Sequence, residues 1–231
     1  MKTIGMIGGT GPESTIEYYR LIIASYRERV QDGSYPPILI NSIDLTKMLD
    51  LIGANQLVEV TDYLVGEVEK LARAGADFGF LAANTPHIVF DEIQSQSAIP
   101  LISIVEATCD AAQAFRLKKV GLFGTRFTMQ KSFYPDVFSK AGIKLAVPEP
   151  NEQSYIHDKY MNELVNGIFL PETREELLSI VSHMIEEQDI QGLILGGTEL
   201  PIILNDNEYL GIPFLDTTKI HVDRVVAILL S

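Results

Sequence analysis

Short unbroken apolar runs, each stopped by glycine or a small polar residue, alternate along this chain with longer stretches whose apolar residues recur at helical spacing. The runs fall at residues 3–8, 37–42, 78–81, 99–104, 118–124, 193–196 and 212–215. Unbroken apolar runs of this length mark strands covered on both faces, as in a parallel sheet. The stretches between them predict helices over about 13–26, 57–74, 105–115, 158–166, 171–187 and 217–229, with further helices after Pro86, after Thr125 through Lys140, and after Thr198. Residues 146–155 are polar and carry prolines, and they predict a connection. Strands alternating with helices predict an α/β fold.

The pattern repeats. Ile4-Gly5-Met6-Ile7-Gly8 is echoed by Val120-Gly121-Leu122-Phe123-Gly124, Phe80-Leu81-Ala82-Ala83-Asn84-Thr85 by Ile194-Leu195-Gly196-Gly197-Thr198-Glu199, and Ile99-Pro100-Leu101-Ile102 by Ile212-Pro213-Phe214-Leu215. The echoes keep their order and nearly constant spacing, which predicts a duplicated α/β unit. A chain of 231 residues has room for two domains of roughly 100 residues each.

Composition narrows the function classes. A net charge of −13 argues against a nucleic-acid partner, since a phosphate backbone calls for a basic surface. No apolar run approaches the length of a membrane span, so no membrane partner is expected and the expected location is cytoplasmic. Cys109 is the one cysteine, which excludes an internal disulfide and every multi-cysteine metal site. Its neighbours Ala107, Ala111 and Ala112 on a predicted helix suit a buried structural thiol.

Candidate chemistry gathers at the carboxyl ends of the predicted strands, where a parallel sheet presents helix N-termini and their spare N–H groups. The turn Gly8-Gly9-Thr10-Gly11-Pro12 lacks the Lys-Ser/Thr pair of a P-loop and does not fit GxGxxG, so a carboxylate suits it better than a phosphate. Thr85 is placed to cap a helix entered at Pro86, which aims Asn84 and Thr85 at the mouth of the sheet. Thr125 and Thr128 serve either as caps or as carboxylate ligands. His87 reads as packing, orientation or a base, and Glu199 as a base, a cap or a holder of a ligand amine. His157, His183 and His221 are scattered and carry no pattern.

With Gly8-Gly9-Thr10-Gly11-Pro12-Glu13-Ser14-Thr15, Ala83-Asn84-Thr85-Pro86-His87, Gly124-Thr125-Arg126-Phe127-Thr128 and Leu195-Gly196-Gly197-Thr198-Glu199 together, the chain resembles the aspartate/glutamate racemase family over nearly its whole length. The resemblance implies two pseudo-symmetric three-layer α/β domains, each with a mainly parallel four-stranded sheet, and a site in the cleft between them. It implies domains at 1–98 plus 207–231 and at 99–206, no cofactor, no metal, a small amino acid or carboxylate as the partner molecule, and a homodimer.

Members of that family interconvert amino-acid enantiomers by 1,1-proton transfer at the α-carbon. One cysteine thiolate removes the proton and a facing thiol returns one to the other side. The resemblance puts those cysteines at Ala83 and Gly197, neither of which can carry a proton. The α-carbon is a very weak acid, so the family reaction is expected to slow severely without a matched base. Basic residues that anchor an acidic substrate side chain in aspartate-specific members are also missing near Leu45 and Val165. Thr10, Asn84, Thr85, Thr125, Thr128, Thr198 and Glu199 match the family's ligand-holding positions. Two expectations follow: an aspartate-racemase-like isomerase using other acid and base groups, with Glu199 and His87 as candidates, or a small-carboxylate-binding pseudoenzyme.

Overall fold

The computed structural model describes residues 1–231, the side chain of Pro12 excepted. The first sheet has the order β2-β1-β3-β4, built from Ile38–Ser42 (β2), Ile4–Gly8 (β1), Phe78–Leu81 (β3) and Leu101–Ile102 (β4), all parallel. The second has the order β6-β5-β7-β9-β8, from Lys144–Ala146 (β6), Lys119–Gly124 (β5), Leu193–Gly196 (β7), Ile212–Asp216 (β9) and Glu208–Tyr209 (β8). The first four strands of this order run parallel and β8 pairs antiparallel to β9. Each sheet thus places its second strand in sequence at the edge, beside the first, and the duplication read from the sequence recurs as a shared strand order. The expected four strands in the second half are joined by a fifth, because the chain after Leu204 turns back along β9 for one short pair.

Contacts divide the chain into two compact units, Met1–Ile104 with His221–Ser231, and Val105–Ile220. The crossings therefore fall at 104/105 and 220/221, in the helices Ile104–Ala114 (α5) and Thr217–Leu230 (α11), and not at the expected 98/99 and 206/207. The reason is strand pairing. β4 bonds to β3 and stays with the first sheet, while β9 bonds to β7 and stays with the second.

In the first unit α1 (Pro12–Arg29) and α11 cover one face of the sheet, where Tyr18, Ile22 and Tyr26 join Val222, Val225, Val226 and Leu229 over Ile4, Met6, Phe78 and Phe80. Helix α3 (Leu57–Arg73) lies against β1, β2 and β3 through buried residues such as Leu64, Val68 and Leu71. α2 (Leu45–Gly53), which the sequence reading lacked, is started by Asp44, whose carboxyl accepts Thr46 N–H at 2.9 Å and Lys47 N–H at 3.3 Å. Burying apolar side chains contributes about 1.5–3 kcal/mol each, which is what holds short strands of four or five residues in place.

In the second unit Phe123, Leu193, Leu195 and Phe214 pack against Ile156 and Tyr160 of α8 (Pro150–Asn162) and against Leu177, Val181 and Met184 of α9 (Pro171–Gln188). The sequence reading makes 146–155 a connection and begins the helix at 158, whereas α8 begins at Pro150. Proline suits the first turn of a helix, and Glu149 and Glu152 form a capping box that starts one here. The helix expected from Thr125 through Lys140 is broken: α6 (Arg126–Gln130) ends at Lys131, whose backbone is extended, and α7 (Phe133–Lys140) starts anew.

Gly9 holds φ +77°, and a Cβ there would meet the Ile43 carbonyl oxygen at 2.3 Å and nitrogen at 2.6 Å. Gly33, at φ +81°, would meet nothing within 4 Å. Gly33→Ala is expected to cost about 1–2 kcal/mol from backbone strain alone, and Gly9→Ala measurably more because the steric conflict is added. Urea midpoints of the two variants at unchanged m-value check the difference.

Candidate functional site

The turn after β1 closes on the end of β3. Ser14 Oγ donates to the Ala82 carbonyl at 2.7 Å and Thr10 Oγ1 to the same oxygen at 3.3 Å. The Gly9 N–H, expected to be spare for a carboxylate, donates instead to Thr15 Oγ1 at 2.8 Å. Gly8 has room for no side chain, since a Cβ there would lie 2.7 Å from Thr15 Cγ2. This turn is tied to the strand beside it by its own hydroxyls.

After β3 the chain enters a 3₁₀ turn, Thr85–Val89. The cap position falls on Asn84 and not on the expected Thr85, and the Asn84 side chain makes no capping hydrogen bond. Asn84 is buried and Ala83 and Thr85 are half-buried.

His87 is fully used by the backbone. The Ile104 N–H donates to its Nε2 at 3.2 Å, so Nε2 carries the lone pair and Nδ1–H donates to the Ala83 carbonyl at 3.0 Å. The ring stacks on Phe90 with centroids 4.9 Å apart. Burial, aided by His221, pushes its pKa down to about 3. A neutral imidazole with both nitrogens bonded has no lone pair to offer a substrate. The arrangement gives His87 the packing and orienting role.

His221, without pattern in the sequence, is a core residue of the same unit. Its Nε2–H donates to the Ile102 carbonyl at 3.0 Å, which leaves Nδ1 to accept from Tyr18 Oη at 2.9 Å. Burial pushes its pKa down to about 4. His157 Nδ1 accepts the Arg126 N–H at 3.2 Å, and His183 pairs at the surface with Glu152.

In the second unit Thr125 takes the capping role. It starts α6 with its hydroxyl accepting from Thr128 N–H at 3.4 Å, and the two hydroxyls lie 3.2 Å apart. Thr128 is buried against Gly124, where a Cβ would come within 2.7 Å of it.

The end of β7 carries a buried polar group. Thr198 and Glu199 are both buried, and Thr198 Oγ1 donates to Glu199 Oε2 at 2.8 Å. The Tyr160 hydroxyl, from α8, donates to the same oxygen. Two donors on one oxygen suit a carboxylate acting as acceptor. Burial and the Glu199 carboxyl raise the Tyr160 pKa well above its ordinary value, so the phenol keeps its proton. Tyr160 was missed in the sequence because no local signal couples a helix residue to a strand end so far along the chain.

Cys109 is buried on α5, and burial, with Asp110 and Glu106 nearby, pushes its thiol pKa up and away from reactivity. Among the described residues no group of three or more His, Cys, Asp or Glu is placed to hold a metal ion, and no helix is long and apolar enough to cross a membrane.

Parallel strands ending in small residues, hydroxyls and a buried carboxyl define the class, that of α/β proteins that take small ligands at carboxyl strand ends. The family model described as Asp/Glu/Hydantoin racemase matches residues 7–225, and the chain belongs to that family. It is 26% identical over 221 residues to the broad specificity amino-acid racemase RacX of Bacillus subtilis, covering 93% of this chain and 92% of that relative. Among solved structures it resembles a protein provisionally described as an Asp/Glu racemase from Yersinia pestis, at TM-score 0.91 and 30% identity, covering all of both chains. An aspartate racemase homologue from Pyrococcus horikoshii follows at TM-score 0.85 and 31% identity, again over all of both chains.

His87 and His221 are neutral when folded, while the unfolded chain takes up protons at the ordinary 6.5. Stability is therefore full above pH 6.5 and falls as pH drops toward 4, by up to roughly 1.4 kcal/mol per pH unit for each histidine. In His221→Gln the decline of the urea midpoint between pH 6.5 and 4 is expected to be shallower by about one proton's worth, whatever the variant's stability at pH 7.

Proposed function

We propose that this protein is a cofactor-independent enzyme of the amino-acid racemase family, moving the proton at the α-carbon of a small amino acid or related carboxylate. Glu199, at the end of β7 in the second unit, is the base, and Thr198 stands beside it at the ligand. The observation that carries this reading is the buried Glu199 carboxyl two residues beyond Gly197, held by two hydroxyl donors. A carboxylate can accept a proton, whereas Ala83 and Gly197 cannot and both nitrogens of His87 are bonded to the backbone. The two-thiol reaction is accordingly not the chemistry assigned to this chain.

A second reading, a binding protein that closes on a small carboxylate without turnover, is favoured by the absence of an acid–base group at positions 83 and 197 and by the backbone-bound His87. Proton exchange separates the two. In heavy water, with a panel of the common amino acids and 2-hydroxy acids, α-deuterium is expected to enter at least one compound, and Glu199→Gln is expected to reduce that rate at least ~100-fold. Thermal stabilisation by a panel member with no exchange would establish the binding reading. Neither exchange nor stabilisation by any member would overturn both.

A further inference from the structure

Gly197 is more than a missing side chain. A Cβ built on it would lie 2.5 Å from Tyr160 Cε2, 2.6 Å from its hydroxyl oxygen and 2.8 Å from Cζ. Cε2 and Cζ are ring atoms, not the end of a flexible chain, and Tyr160 is buried among Phe123, Ile156, Leu164 and Leu195. A side chain at 197 and the Tyr160 ring therefore compete for one volume. The ring that fills it carries its hydroxyl onto Glu199 Oε2, which Thr198 also bonds.

We propose that Tyr160 stands in for the side chain at position 197, as a positioning residue that commits Oε2 of Glu199 to the protein and makes Oε1 the one proton-transfer atom of the site. This rests on the reading of Glu199 as base. With a single acid–base atom, the proton leaves and returns on one face. The Cα–H bond breaks, its proton passes to Oε1, and its electron pair moves into the substrate carboxylate to give an enediolate. The protonated carboxyl exchanges with solvent, then returns a proton to the same face of Cα, restoring the carboxylate and the configuration. No co-reactant is consumed. The expected outcome is hydrogen exchange with retention, an activity that a test for racemisation alone would score as nothing.

Two sets of measurements test this, with L-aspartate and L-malate as probes. In heavy water the α-position of at least one is expected to gain deuterium while chiral chromatography finds its configuration unchanged. Tyr160→Phe, which keeps the ring and loses the hydroxyl, is expected to lower kcat for exchange at least ~10-fold with KM within about twofold. Inversion as fast as exchange would overturn the one-face path, and an unchanged kcat in Tyr160→Phe would overturn its positioning role. Separately, Gly197→Cys is expected to lower the melting temperature by about 5 °C or more, and to lower it much less in a Tyr160→Ala background. Additive losses would overturn the shared volume. Absence of exchange in the unmodified protein removes the one-face path together with the function it rests on, and the stability cycle still decides the seat of Tyr160.

Discussion

A parallel strand cannot be left bare on either face, because its continuous apolar run has to be covered on both. That constraint organises each half of this molecule. Helices α1, α11 and α3 enclose the first sheet, helices α8 and α9 pack on the second, and polar chemistry is displaced to the strand ends. There the chain must turn within a few residues, which selects small residues such as Gly8, Gly9, Ala83, Gly124 and Gly197. The hydroxyls of Thr10, Ser14, Thr125 and Thr198 sit among them and satisfy carbonyls, N–H groups or carboxyls. A ligand site in such a protein is assembled from what the packing of the strands leaves at their tips.

Family membership and residue chemistry answer different questions here. The match over residues 7–225 and the likeness to amino-acid racemases concern the scaffold and its ancestry. What a particular copy of the scaffold does depends on the groups at its strand tips. In this chain one tip carries an alanine and a histidine bonded on both nitrogens, and the other a glycine whose space a tyrosine has taken. The polar groups at these tips are held in place by protein partners.

The sequence was most legible where local pattern and packing coincide. The runs 4–8, 78–81 and 193–196 are buried along their whole length, so their apolar continuity pointed directly to strands and their echo to the duplication. β6 and β8 escaped notice because three and two residues carry no periodicity. The start of α8 was hidden by Pro148 and Pro150, which look like breakers until Pro150 is placed in a first turn beside the Glu149–Glu152 box. Site residues were legible as types but not as roles. Whether His87 is a base depends on the Ile104 amide seventeen residues on, and whether position 197 could hold a thiol depends on Tyr160. Both answers are tertiary, and no spacing rule along the chain encodes them.

The short strand β8 has a meaning beyond its size. The margin of an open sheet exposes a row of unsatisfied amides and carbonyls that invites another polypeptide to add on. On β9 that margin is taken up by Glu208 and Tyr209, with Pro213, which has no amide hydrogen to offer, opposite Glu208. The first half ends instead on β4, only two residues long. The duplicated halves thus blunt the same hazard by different means, a covering strand in one and a truncated border in the other, and a copy stripped of residues 208–209 would become a template for unwanted self-association.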